Sequence, residues 1–226
     1  MLVIATSDAP ALVRFRAAFV ATRIAEYFRD EGNDVMLMMD SLTRFCMAQR
    51  EIGLSAGEPP TSRGYPPSVF SLLPRLLERA GAAEVGSITG LYTVLVDGDD
   101  HNEPISDAAR SILDGHVVLS RKLAHANHYP AIDVLASVSR VQSAVTTPQQ
   151  RALGGELRQL LAAEAEAKDL IEIGAYVPGT NPLVDRAVAL EEPVRGFLTQ
   201  SMDEQSVAAE SWQQLAGLLH GAGGAG

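Results

Sequence analysis

Val35-Met36-Leu37-Met38-Met39-Asp40-Ser41-Leu42-Thr43-Arg44-Phe45 is the stretch that decides the fold class. Its apolar residues run without polar alternation, which predicts a strand buried on both faces rather than one half-exposed. Asp40 closes the strand, and a helix is expected from about Ser41 to Gly53. Working toward the N-terminus, Glu31-Gly32-Asn33 breaks a preceding helix. That helix covers residues 11 to 30, with apolar positions at Leu12, Phe15, Phe19, Ile24 and Phe28 close to a 3.6-residue period. Before it, Met1 to Thr6 is a continuous apolar run ending in Thr6-Ser7-Asp8. It reads as another buried strand meeting a helix cap.

Toward the C-terminus, residues 56 to 67 carry Gly57, Gly64 and four prolines, which excludes regular structure. Helix returns over Val69 to Arg79. Ser87 to Val96 predicts a third strand that ends in the acidic turn Asp97-Gly98-Asp99-Asp100. His116 to Leu119 and Ala131 to Leu135 predict shorter strands with a helix between them. Strands alternating with helices imply an α/β fold with a parallel sheet covered on both faces. In such sheets ligands lie beyond the carboxyl ends of the strands, where Asp8, Asp40, Asp97 to Asp100 and the stretch after Leu135 are expected to converge.

From Thr146 the pattern changes. Pro148, Leu153, Leu157, Leu160 and Leu161 mark an amphipathic helix, Gly174 to Pro182 is a turn-rich break, and two or three more helices finish the chain. The expected organisation is an α/β lobe over 1–145, an all-α lobe over 146–226 and a flexible tail from Gly221.

Composition narrows the function classes. The chain has 226 residues, 46% of them hydrophobic, and a formal charge of −10. An acidic surface repels phosphate backbones and anionic headgroups, which disfavours nucleic acid and direct membrane adhesion. One cysteine, Cys46, rules out an intramolecular disulfide, and the five histidines show no metal-ligand spacing. No apolar run approaches the roughly 20 residues of a membrane span, and no signal-peptide pattern opens the chain. The expectation is a soluble, cytoplasmic protein.

Several residues could carry chemistry. A buried strand can hold the Asp40 carboxylate rigidly at the Mg²⁺ shell of a nucleotide; equally, Asp40 could be the N-cap of the next helix. Arg44, four residues on, is placed either for a phosphate or for an intrahelical salt bridge. Pro130 restrains Tyr129, whose ring is either a stacking surface for a flat base or a packed core side chain. Arg140, past a Ser-Val-Ser run, is either a surface residue or a cation projecting toward a neighbour's γ-phosphate. The loop from Gly57 to Pro67 is either a binding element or a rigid connector. Met36, Met38, Met39, His116 and Cys46 read as core packing.

Taken in order, these segments resemble one family. Leu37 to Phe45, Ala48-Gln49-Arg50-Glu51-Ile52-Gly53, Gly57-Glu58-Pro59-Pro60 and Gly64-Tyr65-Pro66-Pro67-Ser68-Val69-Phe70 resemble the flagellar and injectisome type III export ATPases. So do Tyr92 to Val96 with Gly98-Asp99-Asp100, Ile112 to His116, Leu119 to Leu123, and His128 to Asp133 through Ser139-Arg140. The match extends from the first residue to about position 200. These enzymes are similar in turn to rotary ATP synthase catalytic subunits, which lack the Arg50-Glu51-Ile52-Gly53 and Gly57-Glu58-Pro59-Pro60 wording.

The resemblance implies a RecA-like ATPase core, incomplete at its N-terminal side. It implies Asp40 as the Walker B acid acting on Mg²⁺ through water, and Arg44 near the phosphates. Tyr129 falls where a ring stacks on adenine, and Arg140 falls on the arginine finger of the adjacent subunit. Glu58, Arg63, Tyr65, Asp99, Asp100 and Glu103 resemble elements that face a central channel and stalk. The implied cofactors are ATP and Mg²⁺. The implied partners are copies of the chain in a hexameric ring, chaperone–cargo complexes, and stalk and stator proteins at the inner-membrane export apparatus. The family's phosphate loop, its water-positioning glutamate and its β-barrel precede the counterpart of Met1, and no G-x-x-x-x-G-K-[ST] occurs in this sequence. The expectation is that these residues alone bind ATP poorly and hydrolyse none. The alternatives are a non-catalytic ring-interface or chaperone-docking protein, or a rotary ATP synthase-type subunit. Phe197-Leu198-Thr199-Gln200 is followed by Ser201-Met202, where rotary subunits place aromatics, so this lobe is not expected to wall the adenine pocket.

Overall fold

The computed structural model describes residues 1–96, 98, 100 and 103–221. The chain divides into two compact units, Met1–Leu113 and Asp114–Gly226.

In the first unit, α1 (Ala11–Asp30) is followed by a Gly32 turn and β1 (Asp34–Met39). Ser41 then caps α2 (Leu42–Ser55), and its hydroxyl accepts the Arg44 amide at 3.2 Å. The proline-rich loop contains one 3-10 turn, Ser62–Gly64, and Pro67 opens α3 (Pro67–Leu77) at a position where its missing N–H costs nothing. β2 (Gly81–Ala82), β3 (Ser87–Tyr92) and α4 (Pro104–Ile112) complete the unit. The sheet order is β1-β3-β2. β1 and β3 run parallel with Asp34 opposite Ser87 and Met39 opposite Tyr92, and β2 is antiparallel to β3.

The core lies between helices and one face of this sheet. Leu42, Phe45 and Cys46 of α2 meet Val69, Leu73 and Leu76 of α3 and Ile105 of α4, all buried. Phe15 of α1 stacks on Phe45 at a centroid distance of 5.3 Å. Each such aliphatic side chain contributes about 1.5–3 kcal/mol of transfer free energy. Leu37 and Ile88 pack under Ala25.

Two expectations are corrected here. β1 is covered on one face only: Leu37 points inward, whereas Met36 and Met38 are 67% and 68% exposed. Within these 226 residues no described element lies over them, whereas Met39, on the inner face, packs against the core. Met1 to Thr6 forms no strand, and Met1, Leu2 and Ile4 are exposed. The β1 ladder goes to β3, and no described strand takes up the backbone groups of residues 1–6.

In the second unit, β4 (Gly115–Leu119) and β5 (Ile132–Ser139) form a separate antiparallel pair with a bulge between His116 and Val118. They were expected to join the parallel sheet. The intervening α5 (Arg121–His125) has five residues, too short for the crossover that parallel neighbours need. After α6 (Gln142–Val145) comes α7 (Pro148–Glu172), opened by a capping box in which Thr147 and Gln150 bond each other's amides at 3.2 and 2.8 Å. α8 (Pro182–Leu198), capped by Asn181, and α9 (Ala208–Gly221) follow. Leu157, Leu160, Val184, Leu190, Val194, Leu215 and Leu219 form the buried core of this three-helix assembly. The fold is mixed α/β with a C-terminal helical lobe.

Candidate functional site

Asp40 stands just past the carboxyl end of β1. It does not cap α2, since Ser41 does so from a buried position. The Asp40 carboxylate is instead exposed, and its Oδ1 accepts a hydrogen bond from the Thr93 hydroxyl at 3.1 Å. Thr93 is fixed by its own backbone: its amide donates to Met39 O at 3.1 Å and its carbonyl accepts the Leu42 amide at 2.9 Å. In the first turn of α2, the Thr43 hydroxyl accepts the Leu95 amide at 2.8 Å. The carboxyl ends of β1 and β3 are therefore stitched together directly beneath Asp40. Sequence reading missed Thr93, although its place in Tyr92-Thr93-Val94, one residue after a strand parallel to β1, was the available signal.

Arg44 is exposed and, among the described residues, forms no ion pair with Asp40 or another carboxylate. Asp40 and the Thr93 hydroxyl are hard oxygen groups of the kind that hold Mg²⁺ through its water shell. Among the described residues no group of three His, Cys, Asp or Glu is arranged to ligate a metal directly. That donor set fits an outer-sphere role for Asp40.

The proline-rich loop is fastened along its length. Glu58 accepts the Ser68 amide at 3.3 Å, and the Ser68 hydroxyl accepts from Gln49 at 2.9 Å. Thr61 bonds the Tyr65 carbonyl through both its amide and its hydroxyl. Tyr65 is buried against Phe70, with the Arg50 guanidinium 5.3 Å from its ring centroid. Gly64, at φ +80°, lets Arg50 pass: a Cβ there would lie 2.9 Å from its guanidinium. Arg63 forms an ion pair with Asp100. Glu103 is 8% exposed and caps α4, accepting the Ile105 and Ser106 amides at 2.9 and 3.0 Å. Asp99 lies outside the described residues. Of this set, Arg63 presents its side chain to solvent, Glu58 and Asp100 are half-buried, and Tyr65 and Glu103 turn inward.

In the second unit, Tyr129 is 51% exposed and joined to Pro130 by a cis peptide bond. Its carbonyl accepts the Gln200 amide at 2.8 Å, which ties the loop before β5 to the end of α8. Arg140 follows β5 directly; its amide donates to Asp114 O at 2.7 Å and its side chain is exposed rather than sealed in the core.

This architecture defines a class: an α/β unit with a carboxylate at the end of a parallel strand, followed by a helical lobe. Residues 1–139 match the nucleotide-binding domain of the ATP synthase alpha/beta family, and residues 146–217 match the T3SS EscN ATPase C-terminal domain. The flagellum-specific ATP synthase of Bacillus subtilis is 55% identical over 96% of this chain and 50% of its own length. The type 3 secretion system ATPase of Xanthomonas euvesicatoria is 53% identical over 95% of this chain and 49% of its own. The solved structure of the assembled ATPase EscN from the enteropathogenic E. coli type III secretion system superposes with a TM-score of 0.92 at 49% identity, covering 95% of this chain and 52% of that one. The chain belongs to the ATP synthase alpha/beta family, among its type III export ATPases. It spans about half the length of the curated relatives it matches.

Proposed function

We propose that these residues form part of a hexameric motor that hydrolyses Mg-ATP at subunit boundaries to energise type III protein export. The observation that carries this reading is the Asp40 carboxylate, left uncapped at the end of a parallel strand and oriented by Thr93. Asp40 would hold Mg²⁺ through water, and the ion's part is to neutralise phosphate charge. Arg44 would contact phosphate oxygens. Tyr129, half-exposed, offers a flat face to adenine. Arg140 would enter the neighbouring subunit's pocket and offset the negative charge of the transition state, a contribution worth roughly 10³ to 10⁵ in rate for fingers supplied in trans. Activity on this reading requires assembly.

The functional boundary lies between residues 145 and 146. Glu58, Arg63, Tyr65, Asp99, Asp100 and Glu103 belong to the channel side, Tyr65 and Glu103 by bracing the loops that face it. A stalk protein and chaperone–cargo complexes are the expected partners; one solved relative is a complex of EscN with its central stalk EscO. The site of action is cytoplasmic, peripheral to the inner membrane, and no helix among the described residues is long and apolar enough to cross a bilayer. Because these 226 residues contain no G-x-x-x-x-G-K-[ST] motif, by themselves they act as a ring-interface piece without turnover.

A chimera in which this chain replaces the matching half of the Bacillus subtilis relative tests the reading. It is expected to hydrolyse ATP, and Arg140→Ala should abolish turnover while ATP binding persists. Undiminished hydrolysis in that variant removes the finger assignment.

A further inference from the structure

The segment carrying Arg140 is strapped at both ends to one face of α7. Arg158 donates from one nitrogen to Val134 O at 2.7 Å and Ser137 O at 3.1 Å, and from the other to Leu135 O at 3.0 Å. Arg151 donates to Ser143 O at 3.1 Å and Thr146 O at 2.6 Å. The two arginines are seven residues apart, two turns along the same face of the helix. Arg140 lies between the two sets of carbonyls they hold.

The strand needs this support because it is irregular. The ladder slips at the bulge, and local side chains fill in: Asp133 accepts the Ala136 amide at 2.9 Å, and the Ser137 hydroxyl donates to Asp133 O at 2.6 Å while accepting the Val118 amide at 3.0 Å. Val134, Leu135 and Ser137 therefore present carbonyls outside the regular ladder, and Arg158 gathers them. A guanidinium can do this because its donors form a fixed planar fork; an ammonium is a point charge on a flexible stem.

We propose that Arg151 and Arg158 are positioning residues, a mount on the first helix of the helical lobe that sets where Arg140 is presented. The functional part of this inference rests on the reading of Arg140 as the finger. A reorientation of α7 would then move Arg140 with it, which gives the helical lobe a direct handle on hydrolysis.

Hydrogen exchange on the 226-residue chain tests the mount without any activity. In the Arg151→Gln/Arg158→Gln double variant, amides from Ala136 to Val145 should exchange roughly tenfold faster, with α8 and α9 unchanged. Arg158→Lys, which keeps the charge but not the fork, should loosen Ala136 to Arg140 nearly as much as Arg158→Gln. Unchanged exchange overturns the proposal. In the chimera, the double variant should lower kcat about tenfold with KM within about twofold, since misplacing a catalytic group costs rate rather than binding. On an Arg140→Lys background, which keeps residual turnover, the double variant should cost far less than a further tenfold; a full additional tenfold loss would show that the two arginines act elsewhere and sink the proposal. If exchange loosens as expected but Arg140→Ala leaves turnover intact, the finger reading falls while the mount itself stands.

Discussion

The Thr93 hydroxyl donates to Asp40 Oδ1 at 3.1 Å, so the residue that follows β3 orients the carboxylate that ends β1. That single contact links the parallel register of the two strands to the chemistry at their ends. Both groups are partly solvated, so the bond is worth about 1 kcal/mol rather than the larger values of buried charged pairs. Thr93→Val in the chimera is expected to lower kcat roughly fivefold, and Thr93→Ser to retain most of it. Equal activity of Thr93→Val and the parent protein would remove Thr93 from the site.

Glu26 and Arg79 lock α1 to the end of α3 through two bonds of 2.6 Å, with Glu26 largely buried. The Arg79 guanidinium, and secondarily Arg23, hold the Glu26 carboxyl below its ordinary value against the opposing effect of burial. The folded state therefore binds this proton less readily than the unfolded chain. Its stabilisation is complete above the usual carboxylate range and is lost as pH falls through the lowered folded value. Glu26→Gln should destabilise the first unit by about 2 kcal/mol at neutral pH and flatten its acid-side stability loss, measured by urea unfolding from pH 7 downward.

Gly86, at φ +69°, turns the chain into β3 where a Cβ would lie 2.4 Å from Arg29 O and 2.6 Å from Asn33 O. Both obstacles are backbone, which cannot swing aside. Gly86→Ala is expected to cost about 3 kcal/mol, combining the left-handed conformation with steric overlap. A thermal midpoint within a degree or two of the parent would contradict this.

Cys46 is fully buried in the first core, where burial, and to a lesser extent the Glu103 charge, push its thiol up to about 12. A thiol reagent at pH 8 should label the folded chain at the rate of unfolding and label the denatured chain at once. Rapid labelling under native conditions would show that α2 and α4 part far more easily than their packing implies.

What the sequence revealed depended on whether the controlling interaction was local. α1 (Ala11–Asp30) was legible from its period and from Gly32, and α7 from Pro148 with its leucines, because caps and periodicity are written within a few residues. β1 was found, but its apolar run was read as buried on both faces. Which face is covered depends on which elements lie over it, and the hydropathy of Met36 and Met38 does not encode that. The same holds for Met1 to Thr6. β4 and β5 were located, and their antiparallel pairing turned on the shortness of α5. At the site, Asp40 could be singled out but not distinguished from a helix cap until Ser41 was seen in that role. Thr93, Arg151 and Arg158 escaped notice because each acts on backbone or side-chain groups 5 to 53 residues away, at spacings that no local pattern marks.

The central claim is that Asp40 of one subunit and Arg140 of its neighbour serve one pocket. Mixing chimeras that carry Asp40→Asn with chimeras that carry Arg140→Ala, each inactive alone, tests this most directly. In randomly mixed rings about a quarter of the head-to-tail boundaries would pair an intact Asp40 with an intact Arg140, so turnover should recover to roughly that fraction of the parent. If the mixture stays as inactive as its components while still assembling, the two residues do not share a pocket across subunits.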